Sequence, residues 1–153
     1  MDYLSPSIMN HELTNFLESV QTDVIHSLQA KGKIVTGQTA QQIAIAANGN
    51  KAQLQLPGYL QTLETGRAPT GKNAAPGNPL MIERIKLWCR AKGIPDKAAW
   101  AIKKSIDKHG YKGVPNLLSE PLGDDNINFR LNQVTGQIAN AVMNEVVDSI
   151  GLN

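Results

Sequence analysis

The chain has 153 residues, a formal net charge of +2 and a single cysteine, Cys89. A chain of this length buries about two thirds of its unfolded surface, so residues 1–153 are predicted to form a single domain, and one cysteine excludes an internal disulfide. Three scattered histidines show no metal-ligand spacing, and no segment approaches the ~20 apolar residues of a membrane span. The start of the chain lacks the basic and apolar regions of a signal peptide. We therefore expect a protein without metal, cofactor or membrane contact, kept inside a cell or in a particle assembled there.

The charge is distributed unevenly along the chain. Residues 1–77 carry five basic and five acidic groups, residues 78–113 carry nine and three, and residues 114–153 carry one and five. Such segregation steers a chain toward a polyanion or toward an oppositely charged copy of itself. The alternative is that the basic run is simply a solvated helix face.

Residues 1–32 are predicted to form a long N-terminal helix. From about Ser7 to Lys31, apolar residues recur every three or four positions, which is typical of one helical stripe: Leu13, Phe16, Leu17, Val20, Val24 and Leu28. Ser7 or Asn10 can cap its start, and Gly32 can end it. A helix of about 24 residues spans ~36 Å. Because a small core needs less, one end is expected to extend past it or to pack on something else.

Residues 34–57 are predicted to form an antiparallel β-hairpin, with strands over Gln41–Ala47 and Lys51–Leu56. The second strand alternates apolar and polar residues, and Asn48-Gly49 between the strands fits a type I′ turn. A two-stranded sheet is marginal by itself. It must therefore lie on the first helix or be completed by strands of neighbouring chains.

Residues 58–78 are predicted to form a short helix followed by an extended loop. Three prolines and three glycines between positions 66 and 79 prevent regular structure there. Loops of this length in a compact chain are usually functional or disordered. Arg67, just after Gly66, is placed either to make a forked contact with a carboxylate or carbonyl edge, or to pair with Glu64 and cap the helix.

Residues 79–113 are predicted to form a pair of basic helices. Asn78-Pro79 starts the first, Gly93 ends it, and Asp96 caps the second. The inward faces are predicted to hold Ile82, Ile85 and Cys89, with Trp88 alongside, and then Ala99, Ile102 and Ile106. The outline is that of a helix-turn-helix. The second helix, however, has lysines without the Arg, Asn or Gln near its N-terminus that read base edges, and lysines alone bind phosphate without sequence preference.

Residues 114–153 are predicted to form an irregular connector and a C-terminal helix from about Ile127 to Ile150, with Asp124 and Asp125 at its favourable N-terminal end. The predicted fold class is α+β. Long N- and C-terminal helices and a central helix pair pack on a small antiparallel hairpin or sheet.

The sequence shows no pattern typical of a catalytic site, such as a nucleophile with a base, a carboxylate pair, a metal cluster or a phosphate-binding loop. The chain is therefore predicted not to be an enzyme.

The order of several short motifs resembles a known family. Thr36-Gly37 precedes the hairpin, Leu63-Glu64-Thr65-Gly66-Arg67 follows Tyr59, and Lys92-Gly93-Ile94 and Lys112-Gly113-Val114-Pro115 come after the Pro/Gly loop. Over roughly residues 36–115 the chain looks like the tail-completion or neck proteins of tailed bacteriophages, also called head-tail connectors or minor tail components. Residues 116–125 and the long final helix depart from that pattern, which leaves the docking partner open.

The resemblance implies a structural virion protein of the neck or tail, made in the host cytoplasm. Its copies would form a ring of six or twelve between the portal or its adaptor and the tail, around the channel for genomic DNA. The implied interface residues are Tyr59, Glu64, Arg67, Pro69, Thr70, Lys72 and Pro76. Glu64 and Arg67 would act as a hinge pair, and Tyr59, Trp88 and Trp100 as core or interface anchors.

Five lysines have two predicted roles within that family, either nonspecific contact with DNA in the channel or pairing with the acidic last forty residues of a neighbouring subunit: Lys97, Lys103, Lys104, Lys108 and Lys112. The alternative function, from another class, is a small cytoplasmic nucleic-acid-binding or regulatory module that uses the basic helix pair.

Overall fold

The computed structural model describes residues 6–33, 37–48, 51–77 and 80–151. In these ranges the elements in chain order are α1 (Pro6–Ala30), α2 (Gly37–Gln42), β1 (Ala44–Asn48), β2 (Lys51–Gln55), α3 (Tyr59–Thr65), β3 (Gly66–Arg67), α4 (Met81–Ala91), α5 (Ala98–His109), β4 (Tyr111–Lys112) and α6 (Asp124–Ile150). The predicted α+β class is confirmed, with long helices near both ends and a small antiparallel sheet. No described helix has both the length and the apolar character needed to cross a membrane.

The two long helices, α1 and α6, are joined by a charged cluster. Arg130 of α6 donates to Asp23 of α1 through Nε at 2.9 Å and through Nη2 at 2.7 Å, and Asn126 adds a third hydrogen bond at 2.9 Å. Burial raises the pKa of Asp23, but the hydrogen bonds from Arg130 and Asn126 outweigh it and leave the pKa below its usual value. Charge-assisted, forked bonds of this kind fix the position of one helix on the other.

The N-terminal half of α1 and the C-terminal half of α6 extend beyond the core. The buried residues of α1 are Val20, Val24 and Leu28, all in its second half, and in α6 Val134 is buried. No side chain is buried in the described stretches 9–19 and 135–150. These two stretches are called the arm below. The length of the first helix predicted that one end would extend in this way.

The hairpin of β1 and β2 lies on α1. The strands are antiparallel, with Ala44 opposite Gln55 and Asn48 opposite Lys51. The side chain of Gln21 in α1 donates to the carbonyl of Ile43 at 2.5 Å, just before β1. The hairpin prediction is confirmed, and of the two predicted ways of supporting the sheet, the structure shows packing on the first helix.

The predicted first strand began too early. Gln41 and Gln42 belong to α2, and the strand starts at Ala44. Alanine and glutamine favour a helix, and the sequence GQTAQQ lacks the alternation of a strand, which explains the difference. Gly49 of the predicted turn lies outside the described residues.

The main core forms where α1, the hairpin, α3 and the connector after β4 meet. Its buried side chains are Val24, Leu28, Ile43, Leu60, Leu117 and Leu118. Two buried leucines therefore come from the connector, which is irregular in backbone but part of the core. Ser27 of α1 fixes it by donating to the carbonyl of Leu117 at 2.7 Å.

Helices α4 and α5 have a core of their own, made by Ile82, Ile85, Cys89 and Ala99. The predicted inward faces are confirmed except for Trp88, which is exposed. Residues 80–113 are called the basic lobe below, because they include all nine basic groups of the charge-rich segment. Two predicted helix starts differ. The first helix starts at Met81, after Leu80, and Asn78-Pro79 lies outside the described residues.

The second predicted cap, Asp96, is wrong. Its carboxylate accepts three hydrogen bonds from Arg90, at 3.1, 3.1 and 2.6 Å, and α5 begins only at Ala98. A forked guanidinium contact is stronger than one bond from a helix N-terminal amide, so the side chain turns toward Arg90.

The basic lobe joins the main body at a two-residue ladder, in which β3 pairs with β4. Gly66 lies opposite Lys112, and Arg67 lies opposite Tyr111. The chain leaves the body through β3 and returns through β4. This ladder was not predicted, because Gly66 was interpreted as the end of a helix. Gly66 does end α3, as predicted, and in addition its positive φ of 81° and missing side chain permit close approach of the backbone of Tyr111.

Candidate interaction site

Arg67 lies at the junction between the body and the basic lobe. Its Nη2 donates to Thr70 Oγ1 at 3.0 Å, and Nη1 reaches Met81 Sδ at 3.7 Å. The Thr70 hydroxyl donates to Asp107 Oδ1 at 2.5 Å, and the Thr70 amide donates to the Asp107 carbonyl at 2.9 Å. These contacts fasten the first residues of the long loop to α5.

Lys103 completes this cluster. Its ammonium donates to Asp107 Oδ2 at 2.5 Å, one helical turn away. The hydrogen bond from Lys103, with that from Thr70, holds the pKa of Asp107 below its usual value. Asp107 is therefore the common acceptor for the loop and for one lysine of the basic segment.

Glu64 points to a different part of the molecule. Its Oε1 accepts from the amides of Leu118 and Ser119 at 3.1 and 2.9 Å, and from the Ser119 hydroxyl at 2.6 Å. Burial raises the pKa of Glu64, but the hydrogen bonds from Ser119, Leu118 and Leu117 outweigh it and leave the pKa below its usual value. Glu64 thus holds the irregular connector against α3.

Glu64 and Arg67 do not pair with each other. Gly66 turns the chain out of α3 into β3, so Glu64 faces the connector while Arg67 faces the lobe. The predicted capping pair is therefore wrong. Each residue of the predicted hinge pair instead fastens a separate segment, and contact of either with a neighbouring copy stays a prediction.

The remaining predicted loop residues are exposed. Pro69 is exposed beside the fastened Thr70, and residues 71–77, which include Lys72 and Pro76, are all exposed. They form no helix or strand. The loop is therefore held at its start and open to solvent along the rest of its described length.

The aromatic residues predicted as core or interface anchors lie at the surface. Tyr59 is 36% exposed and donates to Thr39 Oγ1 at 3.1 Å, Trp88 is 43% exposed, and Trp100 is 59% exposed with Lys86 Nζ 5.9 Å from its ring centre. A core role is wrong for them. Smaller side chains at neighbouring helical positions already fill the inward faces. An interface role stays a prediction.

Four of the five lysines predicted to contact DNA or a neighbouring subunit are exposed, and the fifth, Lys103, is bound to Asp107. Lys97, just before α5, and Lys104 and Lys108 within α5 are exposed, and Lys112 is exposed in β4. Among the described residues these four form no ion pair. Lys103 is half-buried and bound to Asp107, so it does not belong to the same surface.

Ionisable side chains in the described ranges provide no group of three or more that would hold a metal ion. Cys89 is fully buried in the lobe core, as predicted for a small hydrophobic residue. The structure thus directs attention to surfaces and the loop.

One set of surface residues was not predicted. It consists of large apolar side chains that are 39–62% exposed on α6 and next to or within α4: Leu80, Leu87, Phe129, Leu131, Met143, Val146 and Ile150. For Met143, Val146 and Ile150 the sequence signal is a second three-and-four periodicity, out of phase with the buried Val134. This set was not predicted because a surface helix needs only one buried apolar face, so a second apolar face was not expected.

No family model, curated protein or solved structure matches this chain. The resemblance of residues 36–115 to phage connectors therefore stays a prediction, as do the ring and its place in a virion.

Proposed function

We propose that this protein is a structural subunit of a tailed-bacteriophage virion. Its copies form a ring at the neck, as a tail-completion or head-tail connector protein, and join the portal or its adaptor to the tail around the DNA channel. In this proposal the protein catalyses no reaction. The motif order of residues 36–115 supports the family, and the surface of the structure supports assembly.

The observation that carries the proposal is the amount of apolar surface left uncovered. Ten large hydrophobic side chains among the described residues are at least 36% exposed, on α3, α4, α5, α6 and the residue before α4. Single exposed apolar residues are ordinary, but extended apolar patches on a soluble protein mark interaction sites. Several such faces on one small chain are what a subunit with more than one neighbour requires.

The long loop supports the same proposal. Its start is fixed to α5 through Thr70, while residues 71–77 are exposed. A segment that is already fastened at one end loses less conformational freedom on binding than a free tail. Such a loop suits a subunit that must grip a neighbouring ring.

Arg67→Glu tests the role of this fastening. The new carboxylate would face Asp107 in place of the guanidinium, so the start of the loop is expected to detach, with a loss of stability of about 1 kcal/mol. We expect folded protein but unjoined heads and tails, counted by electron microscopy of particles made with the variant. The matched control is Lys51→Glu, at an exposed position of β2. Normal joining by Arg67→Glu would contradict the role proposed for the loop.

A second candidate function is nonspecific nucleic-acid binding, either in the channel or as an independent module. The observation that favours it is the group of exposed lysines within and just before α5, Lys97, Lys104 and Lys108, which make no ion pair among the described residues. Lysines in this arrangement contact phosphates without reading bases.

Lys104 and Lys103 provide a matched pair for testing it. Lys104→Gln is expected to weaken duplex DNA binding and to reduce the slope of log affinity against log salt by about 0.9, the value for one lost phosphate contact. Lys103→Gln should leave that slope unchanged, because Asp107 already binds Lys103. Fluorescence anisotropy across a salt series measures both. Equal effects of the two substitutions, or no salt dependence, would remove this candidate.

A further inference from the structure

Trp100 of α5 leaves more than half of a large aromatic side chain in solvent. It is 59% exposed, although tryptophan usually supplies buried contact area. The core of the basic lobe is filled by smaller side chains, so the fold of α5 does not depend on the indole. The exposed ring therefore requires another explanation.

Lysines lie on both sides of Trp100 along the helix. Lys97 is three residues before it and Lys104 is four residues after it, and residues at these spacings are neighbours on a helix surface. Lys97 precedes α5, but its backbone is helical, with φ −59° and ψ −28°, so it continues the same surface. Lys108 lies about one turn beyond Lys104. Trp100 is therefore part of a row that holds three exposed lysines.

A fourth ammonium group reaches the indole from α4. Lys86 Nζ lies over the ring of Trp100, 5.9 Å from its centroid, which is within the range of a cation–π contact. With Lys86 in this position the side chain of Trp100 is still 59% exposed. Among the described residues, neither Lys86 nor the three lysines of the row forms an ion pair. The indole thus combines cationic neighbours with an open surface.

The acidic side chains closest to this row are bound to other groups. Asp96, four residues before Trp100, accepts three hydrogen bonds from Arg90. Asp107, the one acidic residue of α5, is paired with Lys103. Because both carboxylates are neutralised within the lobe, the surface around Trp100 is left positive. Such a surface attracts an anionic partner.

We infer that Trp100 is a stacking platform for an unpaired base of a single-stranded nucleic acid, with Lys97 and Lys104 on the phosphates to either side. Proteins that bind single strands combine aromatic side chains, on which bases stack, with cations that follow the backbone. An acidic protein segment would need the lysines but not the exposed indole. A duplex keeps its bases stacked on one another and presents only phosphates to the lysines. The inference rests on the second candidate function and names its substrate class.

Tryptophan fluorescence tests the stacking directly. The chain has two tryptophans, so Trp88→Phe leaves Trp100 as the only one. In this variant an oligothymidine strand is expected to quench the fluorescence, because a base in contact with the indole quenches its excited state. A duplex of the same length should bind without quenching. A strand that binds, as shown by anisotropy of a label on it, but leaves the fluorescence unchanged would overturn the inference.

Trp100→Ala separates stacking from phosphate contact. It is expected to weaken binding of the labelled oligothymidine about tenfold, the effect of losing one stacked base. The slope of log affinity against log salt should not change, whereas Lys104→Gln should reduce it by about 0.7, the value for one phosphate contact on a single strand. Trp100→Phe keeps an aromatic face and should retain most of the affinity. Oligouridine should show the same losses, because stacking involves the base and not the sugar.

Phe129→Ala is the matched control. Phe129 lies on α6, outside the arm, is 55% exposed and has the guanidinium carbon of Arg130 5.4 Å from its ring centroid. Four residues before it, however, is Asp125 and not a lysine. This variant is expected to bind the strand like the wild type, and circular dichroism should show that all the variants keep their helices.

The remaining outcomes distinguish this inference from the function on which it rests. Equal losses in Trp100→Ala and Phe129→Ala, or equal losses for strand and duplex, would overturn the stacking and leave nonspecific phosphate binding standing. A smaller oligomer of Trp100→Ala with unchanged affinity for the strand would assign Trp100 to a contact between copies and also overturn it. A wild-type chain that binds neither strand nor duplex would overturn both.

Discussion

Gly110→Ala is expected to lower the free energy of unfolding by about 3 kcal/mol, the largest loss among the single substitutions considered. Gly110 has a φ of 74° and a ψ of −165°, a region that essentially only glycine occupies and where an L-residue costs roughly 1–3 kcal/mol. A Cβ at this position would also overlap the carbonyl oxygen of Arg67 and lie 3.0 Å from the carbonyl carbon of Ala68. Forcing an atom into such a contact costs about 1–3 kcal/mol more.

Gly93→Ala is the control that separates these two effects. Gly93 has nearly the same φ, 69°, but a Cβ there meets nothing within 4 Å. The expected loss in the free energy of unfolding for Gly93→Ala is therefore only that of the unfavourable backbone conformation, about 1 kcal/mol. Chemical denaturation of both variants gives the two losses, and hydrogen exchange should show faster opening of the ladder amides in Gly110→Ala alone. Equal losses would mean that the ladder of β3 and β4 does not hold the lobe to the body.

Glu64→Ala is expected to cost about 2 kcal/mol at neutral pH. It leaves the Leu118 and Ser119 amides without the carboxylate that accepts from them, next to two buried leucines of the connector. Hydrogen bonds to a charged acceptor contribute about 1.5–3 kcal/mol each when buried and less when partly exposed, as here. The loss should be seen as a lower midpoint in urea.

The same residue predicts a pH dependence. The folded pKa of Glu64 lies below its ordinary value of 4.5, so the folded state binds fewer protons in this range. Its contribution to stability is fully present above about pH 4.5 and is lost as pH falls through the lowered pKa. Glu64→Gln should remove this contribution and flatten the stability profile below pH 4.5. Glu145→Gln, at an exposed position of α6, should leave the profile unchanged. A Glu64→Gln profile that falls as steeply as the wild type would contradict the role of Glu64 as the acceptor for the connector amides.

The elements that were predictable are those with strong local patterns. The stripe of α1, the alternation of β2 and the periodicity of α6 are each contained in one stretch of sequence. The ladder of β3 and β4 was not predictable in this way, because it joins two residues near position 66 to two near position 111. Its local trace is Gly66 within β3 and Gly110 next to β4, and glycine also ends helices.

The contacts of the candidate site also divide into those between residues close in sequence, which are predictable, and those between distant residues, which are not. The bond between Lys103 and Asp107 could be predicted from spacing, since residues four apart on a helix are neighbours, but Lys103 was predicted to contact DNA or a neighbouring subunit. The acceptor role of Glu64 was not, because its partners lie 54 and 55 residues away. Distant partners depend on how the connector packs on α3. Local spacing therefore suggested a pair with Arg67 that the fold does not make.

Neither the exposure of the three aromatics nor that of the large apolar side chains on α4 and α6 followed from the pattern alone. Trp88 and Trp100 are residue types that usually supply buried area, yet the lobe core is completed by smaller side chains. A helix with two apolar faces can be fully buried or can contact a second chain, and only the packing around it distinguishes these cases. Here the exposed fractions show that the second face is not covered by the described residues of the same chain.

The central claim is that copies of this chain assemble into a closed ring. Light scattering coupled to size exclusion, over a wide range of protein concentration, measures the mass most directly. A closed ring would have a mass that is a fixed multiple of 16.6 kDa and that stops increasing once the ring has formed. A mass of 16.6 kDa at every concentration, or a mass that increases without limit, would contradict it.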